Sequence, residues 1–226
     1  MPQQLRLELR RTASYRRRDF IVSPTNESAV RALDAWPNWH AGCLALVGPE
    51  GAGKTHLAKA WARKAGAQTV TAATFNAANL SAWMGRPVLV ENADRCASDD
   101  MLFHLINMAG ERGGGLLLTA RTAPSAWTAT LPDLRSRLNA LAVAEIGPPD
   151  DAVLDGVLRK FFREHHILPG GDLIAYLVRR IERSVPAARA VVEQLDEAAG
   201  PDHRPVTRVL ARQILEIDGE TPDLFE

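Results

Sequence analysis

The sequence predicts an α/β protein: a parallel five-stranded sheet with flanking helices, followed by a small all-helical domain. Three observations carry this expectation. Between Phe20 and about Gly147, short apolar runs alternate with helical patterns, as parallel β-α-β units do. A glycine-rich stretch ending in Lys54-Thr55 joins one apolar run to one helix. After Gly147-Pro148-Pro149, apolar residues recur every three or four positions and nothing resembling a strand returns.

The elements follow in order. The polar, Arg-rich residues 1–19 read as a tail, residues 20–147 as the α/β base and 148–226 as the helical domain. Residues 44–47 are a strand and 55–65 a helix; a weaker strand is expected near 69–72. Residues 88–90 and 116–118 are further strands, with a helix over 100–111 between them and a fifth strand over 141–146. Helical spacing covers 151–165, 173–184, 187–199 and 206–217, punctuated by prolines such as Pro169, Pro186 and Pro205.

Composition narrows the function classes. The chain of 226 residues has 27 basic and 27 acidic side chains, a formal balance of zero, which disfavours non-specific grip on DNA or an anionic membrane. No stretch is long enough to span a bilayer and the N-terminus has no apolar core of a secretion signal, so a cytoplasmic location is expected. Cys43 lies in the apolar run Cys43-Leu44-Ala45-Leu46-Val47 and reads as a buried core residue. In the tail, Leu5, Leu7 and Leu9 fall on one face of an extended segment beginning at Gln4. Such a face suits a partner's pocket or an edge strand of the same chain.

The strongest chemical signal is Gly48-Pro49-Glu50-Gly51-Ala52-Gly53-Lys54-Thr55, which satisfies G-x-x-x-x-G-K-[ST] between a strand and a helix. Glycines let backbone N–H groups turn inward around phosphates, and the helix N-terminus adds partial positive charge. Lys54 reaches toward the β- and γ-phosphates and the Thr55 hydroxyl toward Mg²⁺, with Glu50, Ala52 and His56 completing the cradle. Glu91 directly follows an apolar strand and is the candidate indirect Mg²⁺ ligand. Asn92 stands where hydrolysing nucleotidases place a second carboxylate, and an amide cannot take a proton from water. Asp94 lies two residues further on. The site is therefore expected to hold a nucleotide more than to destroy it. Thr119, at the tip of the third clear strand, is either a γ-phosphate sensor or a strand-end cap. Arg135 and Arg137 follow a Pro-started turn, where they form an exposed helix face or offer a guanidinium to a neighbour's nucleotide.

Taken together, the cradle, the segment Asp19-Phe20-Ile21-Val22-Ser23-Pro24-Thr25-Asn26, the stretch Phe103-His104-Leu105-Ile106-Asn107, residues 131–138 and the Glu91-Asn92 pair resemble the Hda-type regulatory inactivators of the replication initiator DnaA. That family is closely related to DnaA's own AAA+ module. The resemblance implies an AAA+ base and lid binding ADP or ATP with Mg²⁺, and places Phe20 and Val22 near the adenine. It implies that Gln4, Leu5, Leu7 and Leu9 belong to a hexapeptide for the polymerase III sliding clamp (β subunit), with Arg6 and Glu8 where the family has a small residue and proline. It makes Arg137 an arginine finger acting on DnaA-bound ATP. Pro186 stands where a lid sensor arginine often sits, and Arg189, one helical turn on, is taken as its replacement in preference to Arg183.

The family reading has further consequences. No helix-turn-helix follows the lid pattern, and the segment between Thr74 and Val88 is too short for DnaA's strand-reading helices, so DNA contact is expected only through the clamp. A homodimer with a hidden finger fits AAA+ surfaces. Two other classes compete with a trans-acting inactivator: a non-catalytic clamp-bound adaptor, and an independent AAA+ ATPase or loader.

Overall fold

The computed structural model describes residues 15–71, 83–96, 98–110, 114–200 and 204–219. The leucine-spaced segment from Gln4 to Leu9 and most of the stretch between Thr74 and Val88 lie outside the described residues.

Five strands make one sheet: β1 (Cys43–Val47), β2 (Gln68–Thr71), β3 (Pro87–Glu91), β4 (Gly115–Ala120) and β5 (Val143–Glu145). Their order is β2-β3-β4-β1-β5 and every pairing is parallel. Because parallel strands are covered on both faces, β1 and β4 are buried throughout, which explains their unbroken apolar runs. Leu44, Leu46, Leu89 and Leu117 pack on one side against helices α1 (Glu27–Asp34) and α2 (Lys54–Ala65). Cys43, Ala45, Val88, Val90, Leu116 and Leu118 pack on the other, against α3 (Asp99–Ala109) and α4 (Pro132–Ala140). The Cys43 thiol is fully buried, and burial pushes its pKa up to about 12, so it is an inert core group.

Register sets the working edge. Leu46 pairs with Thr119, and Val90 with Leu118, so Glu91 follows at the level of Thr119. The loop after β1, the acid after β3 and the threonine of β4 thus share the C-terminal edge, where open α/β sheets take their ligands.

The helical region comprises α5 (Asp151–Glu164), α6 (Leu173–Val178), α7 (Val185–Ala199) and α8 (Arg208–Gly219) around its own core of Leu154, Leu158, Phe162, Leu177, Val192 and Leu195. Asp150 caps α5 by accepting from Val153 N at 2.9 Å. Two expectations change here. The helix expected over 173–184 ends at Val178, because Ser184 caps a new helix with its hydroxyl accepting from Ala187 N at 3.2 Å. Ile181 merely continues the apolar spacing across the break. The next helix starts at Val185 rather than 187, with Pro186 in its first turn, where a missing N–H costs nothing. Replacing the fully buried Phe162 by Ala should cost about 3–5 kcal/mol of stability, read by urea unfolding. No described helix is long and apolar enough to cross a membrane.

Candidate functional site

A cavity of about 890 Å³ opens where the sheet edge meets the helical region, large enough for a nucleotide. Its floor is the Gly48–Thr55 loop and the start of α2; Glu50, Gly51, Ala52, Gly53, Lys54, Thr55 and His56 all line it. Gly51 has φ +75°, and a methyl there would stand 2.6 Å from Ser184 Cβ. Close backbone approach is what this position requires: Val185 N donates to Gly51 O at 3.0 Å, tying the first turn of α7 to the loop. Gly53, at φ +100°, lies under the Phe20 ring, whose Cε2 would be 3.1 Å from a methyl there.

Lys54 Nζ donates to the carbonyls of Gly48 and Pro49, each at 2.7 Å, so the amine already points at the loop it would share with phosphate. Burial pushes the Lys54 pKa below its ordinary range, and the Arg121 guanidinium pushes the same way against the weaker pull of Asp94 and Glu50. A bound phosphate would raise that pKa, so the bound state holds more protons and affinity is lost as pH rises through the free-state value. Adenine-nucleotide affinity should therefore fall within the alkaline range earlier than for an ordinary lysine. Lys54→Arg, measured by fluorescent-nucleotide titration against pH, should move the fall to higher pH.

The walls are apolar. Phe20 turns toward His56, edge-on at 5.6 Å, whereas Ile21 packs toward Gly156 on α5. Both line the cavity, together with Val153, Val157, Phe161, Val185 and Pro186. Val22, named with Phe20 from the sequence, stands 46% exposed and outside the lining; Ile21 holds that place, because the chain turns past α5 there. His56 Nε2 bonds to Arg16 O at 2.9 Å, and burial lowers its pKa, which keeps the ring neutral.

The strand tips supply the polar rim. Thr119 is buried and lines the cavity, and its Oγ1 accepts from Asn92 N at 3.1 Å. One hydroxyl thus faces the cavity and fixes the neighbouring loop, where Asn92 adopts φ +56°. Glu91 is 13% exposed and pairs with Lys59 at 3.7 Å; it lies behind the cavity rather than in its lining. Asp94 Oδ2 accepts from Arg121 N at 3.1 Å, while its Oδ1 is buried with no hydrogen-bond partner. Arg189 lines the cavity, its guanidinium 4.3 Å above the Phe161 ring and 4.0 Å from Glu193. Arg183 is committed elsewhere, to Asp151 at 2.6 Å and Pro149 O at 3.3 Å.

Several lining residues escaped the sequence reading, Arg121, Lys160 and Phe161 among them. On α5, residues 153, 157, 160, 161 and 164 form one helical face, but that stripe reads equally as helical-domain core. Arg121 sat two residues beyond Thr119 with no pattern of its own.

Arg137 is not in this cavity. It is exposed on α4 beside a groove lined by Cys43, Phe103, Ile106 and Asp133, with its guanidinium 5.6 Å from the Phe103 ring centre. Cys43 begins β1 and the loop follows its end, so about 13 Å of strand separates the two. Arg135 is tied to Ala129 O at 2.9 Å.

Comparison with known proteins places this architecture. No family model matches the chain. Over 214 residues it is 28% identical to the chromosomal replication initiator protein DnaA of Caulobacter sp. (strain K31), a match covering 80% of this chain and 44% of that protein. The chain is similar in sequence to part of DnaA. It spans less than half the length of the DnaA proteins it matches. Domain III of the Thermotoga maritima replication initiation protein DnaA superposes with a TM-score of 0.77 at 18% identity, covering 92% of this chain and 98% of that one. AMPPCP-bound DnaA from Aquifex aeolicus superposes with a TM-score of 0.71 at 17% identity, over 90% of this chain and 70% of that one. The fold is thus an AAA+ P-loop base with an attached helical region.

Proposed function

We propose that this chain is a nucleotide-bound regulator that inactivates the initiator DnaA. The observation that carries the reading is the placement of Arg137: exposed, and at the opposite end of β1 from the chain's own phosphate loop. A guanidinium so placed serves a nucleotide on another molecule, and the similarity to DnaA supplies the AAA+ partner.

Within its own cavity the chain holds an adenine nucleotide, ADP in preference to ATP. Phe20, Ile21 and Phe161 offer an apolar slot for the base, and Lys54, Arg121 and Arg189 offer cations for the phosphates. The Aquifex relative, bound to AMPPCP, supports this use of the fold. Thr55 would hold Mg²⁺ together with the phosphates, with Glu91 behind, and the ion would screen phosphate charge there. Asn92 accepts no proton, and Asp94, whose Oδ2 is held by Arg121 N, lies outside the cavity lining, so neither is placed to deprotonate an attacking water. The bound nucleotide braces the phosphate loop against α7, adding to the Gly51–Val185 hydrogen bond. The chain then acts as a positioning element rather than as its own ATPase.

The segment with Gln4, Leu5, Leu7 and Leu9 docks on the DNA-loaded sliding clamp, and a homodimer through the AAA+ surface keeps Arg137 covered until DnaA competes for it. The test is hydrolysis of DnaA-bound ATP with chain, ADP and DNA-loaded clamp present. A rise over the clamp alone is expected. No rise, with clamp binding confirmed by Gln4→Ala as a control, would sink the inactivator reading and leave a clamp-bound adaptor.

A further inference from the structure

Of the cavity cations offered to the phosphates, Arg121 is the one already paired with the phosphate loop. It follows the tip of β4, two residues beyond Thr119, and lines the cavity. Its backbone is pinned by the 3.1 Å bond from its N–H to Asp94 Oδ2, so the base of the side chain is fixed. Its guanidinium pairs with the Glu50 carboxylate, which belongs to the phosphate loop itself. That pair bridges the mouth of the cavity, and both side chains are well exposed, at 48% and 72%. An exposed ion pair is weakly held. Lys54 and Arg121 bring two positive charges to one cavity, and the Arg121 guanidinium disfavours the charged state of Lys54. A phosphate chain relieves that repulsion and offers the fork geometry a guanidinium prefers.

We propose that Arg121 is a nucleotide ligand that reads the outermost phosphate, held in reserve by Glu50 until a triphosphate displaces the carboxylate. The proposal rests on the nucleotide reading of this cavity and assigns the site a means of telling triphosphate from diphosphate. Lys54, at the helix start, meets the β-phosphate that both nucleotides carry; Arg121, just beyond a strand tip, joins it at the γ-phosphate that only the longer one has.

Titration of the full chain with fluorescent adenine di- and triphosphates tests it. Arg121→Ala should weaken triphosphate binding by about tenfold or more and diphosphate binding by less than about threefold. Arg121→Lys should fall between, because an ammonium keeps the charge and loses the fork. Glu50→Gln should tighten triphosphate binding by roughly two- to fivefold, a gain that misfolding cannot imitate. Unchanged triphosphate affinity in Arg121→Ala, or equal losses for both nucleotides, would overturn the assignment. If Lys54→Ala abolishes binding while Arg121→Ala is silent, only the role of Arg121 fails. If the unaltered chain binds neither nucleotide, the cavity reading fails with it.

Discussion

Arg137→Ala is expected to lower the stimulated hydrolysis of DnaA-bound ATP by about 10³-fold while leaving the chain's own nucleotide affinity unchanged. The magnitude follows from what a trans guanidinium contributes to phosphoryl transfer, about 10³–10⁵ in rate or roughly 4–7 kcal/mol. The selectivity follows from position. Arg137 is exposed next to Phe103 and Asp133, outside the lining of the chain's own cavity. Arg137→Lys should recover little, because a point charge cannot span two phosphate oxygens as the planar fork does. Arg135→Ala is the internal comparison. Its guanidinium is held on the Ala129 carbonyl, so its loss should disturb the start of α4 more than any partner's nucleotide. Single-turnover release of phosphate from preloaded DnaA reads all three variants. Full stimulation by Arg137→Ala would remove the trans-acting finger and leave the chain as an adaptor.

Lys54→Ala is expected to weaken adenine-nucleotide binding by about 100-fold or more. Two charge-assisted hydrogen bonds to phosphate are lost, each worth about 1.5–3 kcal/mol, and a methyl replaces the only lysine in the loop. In the absence of nucleotide the effect on stability should be small. The Pro49 carbonyl that accepts from Lys54 is exposed, so water can replace the amine there. Nucleotide at about 100 times its Kd should stabilise the unaltered chain by about 2.7 kcal/mol, and that increment should vanish in the variant. Thermal unfolding with and without ADP checks it. An equal shift in both proteins would mean that the nucleotide does not use this loop.

The elements that sequence patterning placed well are those whose surroundings it already implies. The apolar run from Cys43 to Val47 and the run 116–118 are strands because both their faces are buried, and only a parallel central strand demands that. The phosphate loop was legible because its glycines, lysine and threonine are local requirements of a strand–turn–helix joint. Helix α1 was less so. Ala29, Val30 and Leu33 form its buried face, but eight residues are too few for periodicity to stand out beside a segment read for its closeness to the base.

Side chains whose partners are remote in sequence were the ones that patterning misplaced or passed over. Glu91 was rightly put at a strand end, yet its pairing with Lys59 depends on how α2 lies across the sheet. Val22 and Ile21 are equivalent in composition, and only the approach of Gly156 on α5 draws Ile21 to the cavity and leaves Val22 in solvent. Arg183 and Arg189 flank Pro186 alike in sequence; Asp151 captures the first, and the face of Phe161 carries the second to the cavity.

By itself, then, the sequence determined the fold class, the alternation of buried strands and amphipathic helices, and the presence of a phosphate loop. Each of these is set by interactions within about a dozen residues, through periodicity and backbone freedom. The tertiary structure alone decided which cations share the cavity, which carboxylate occupies Arg121, and on which end of β1 Arg137 emerges. Those outcomes depend on strand order and helix docking, which bring together groups as far apart as Glu50 and Arg121, or Gly51 and Val185.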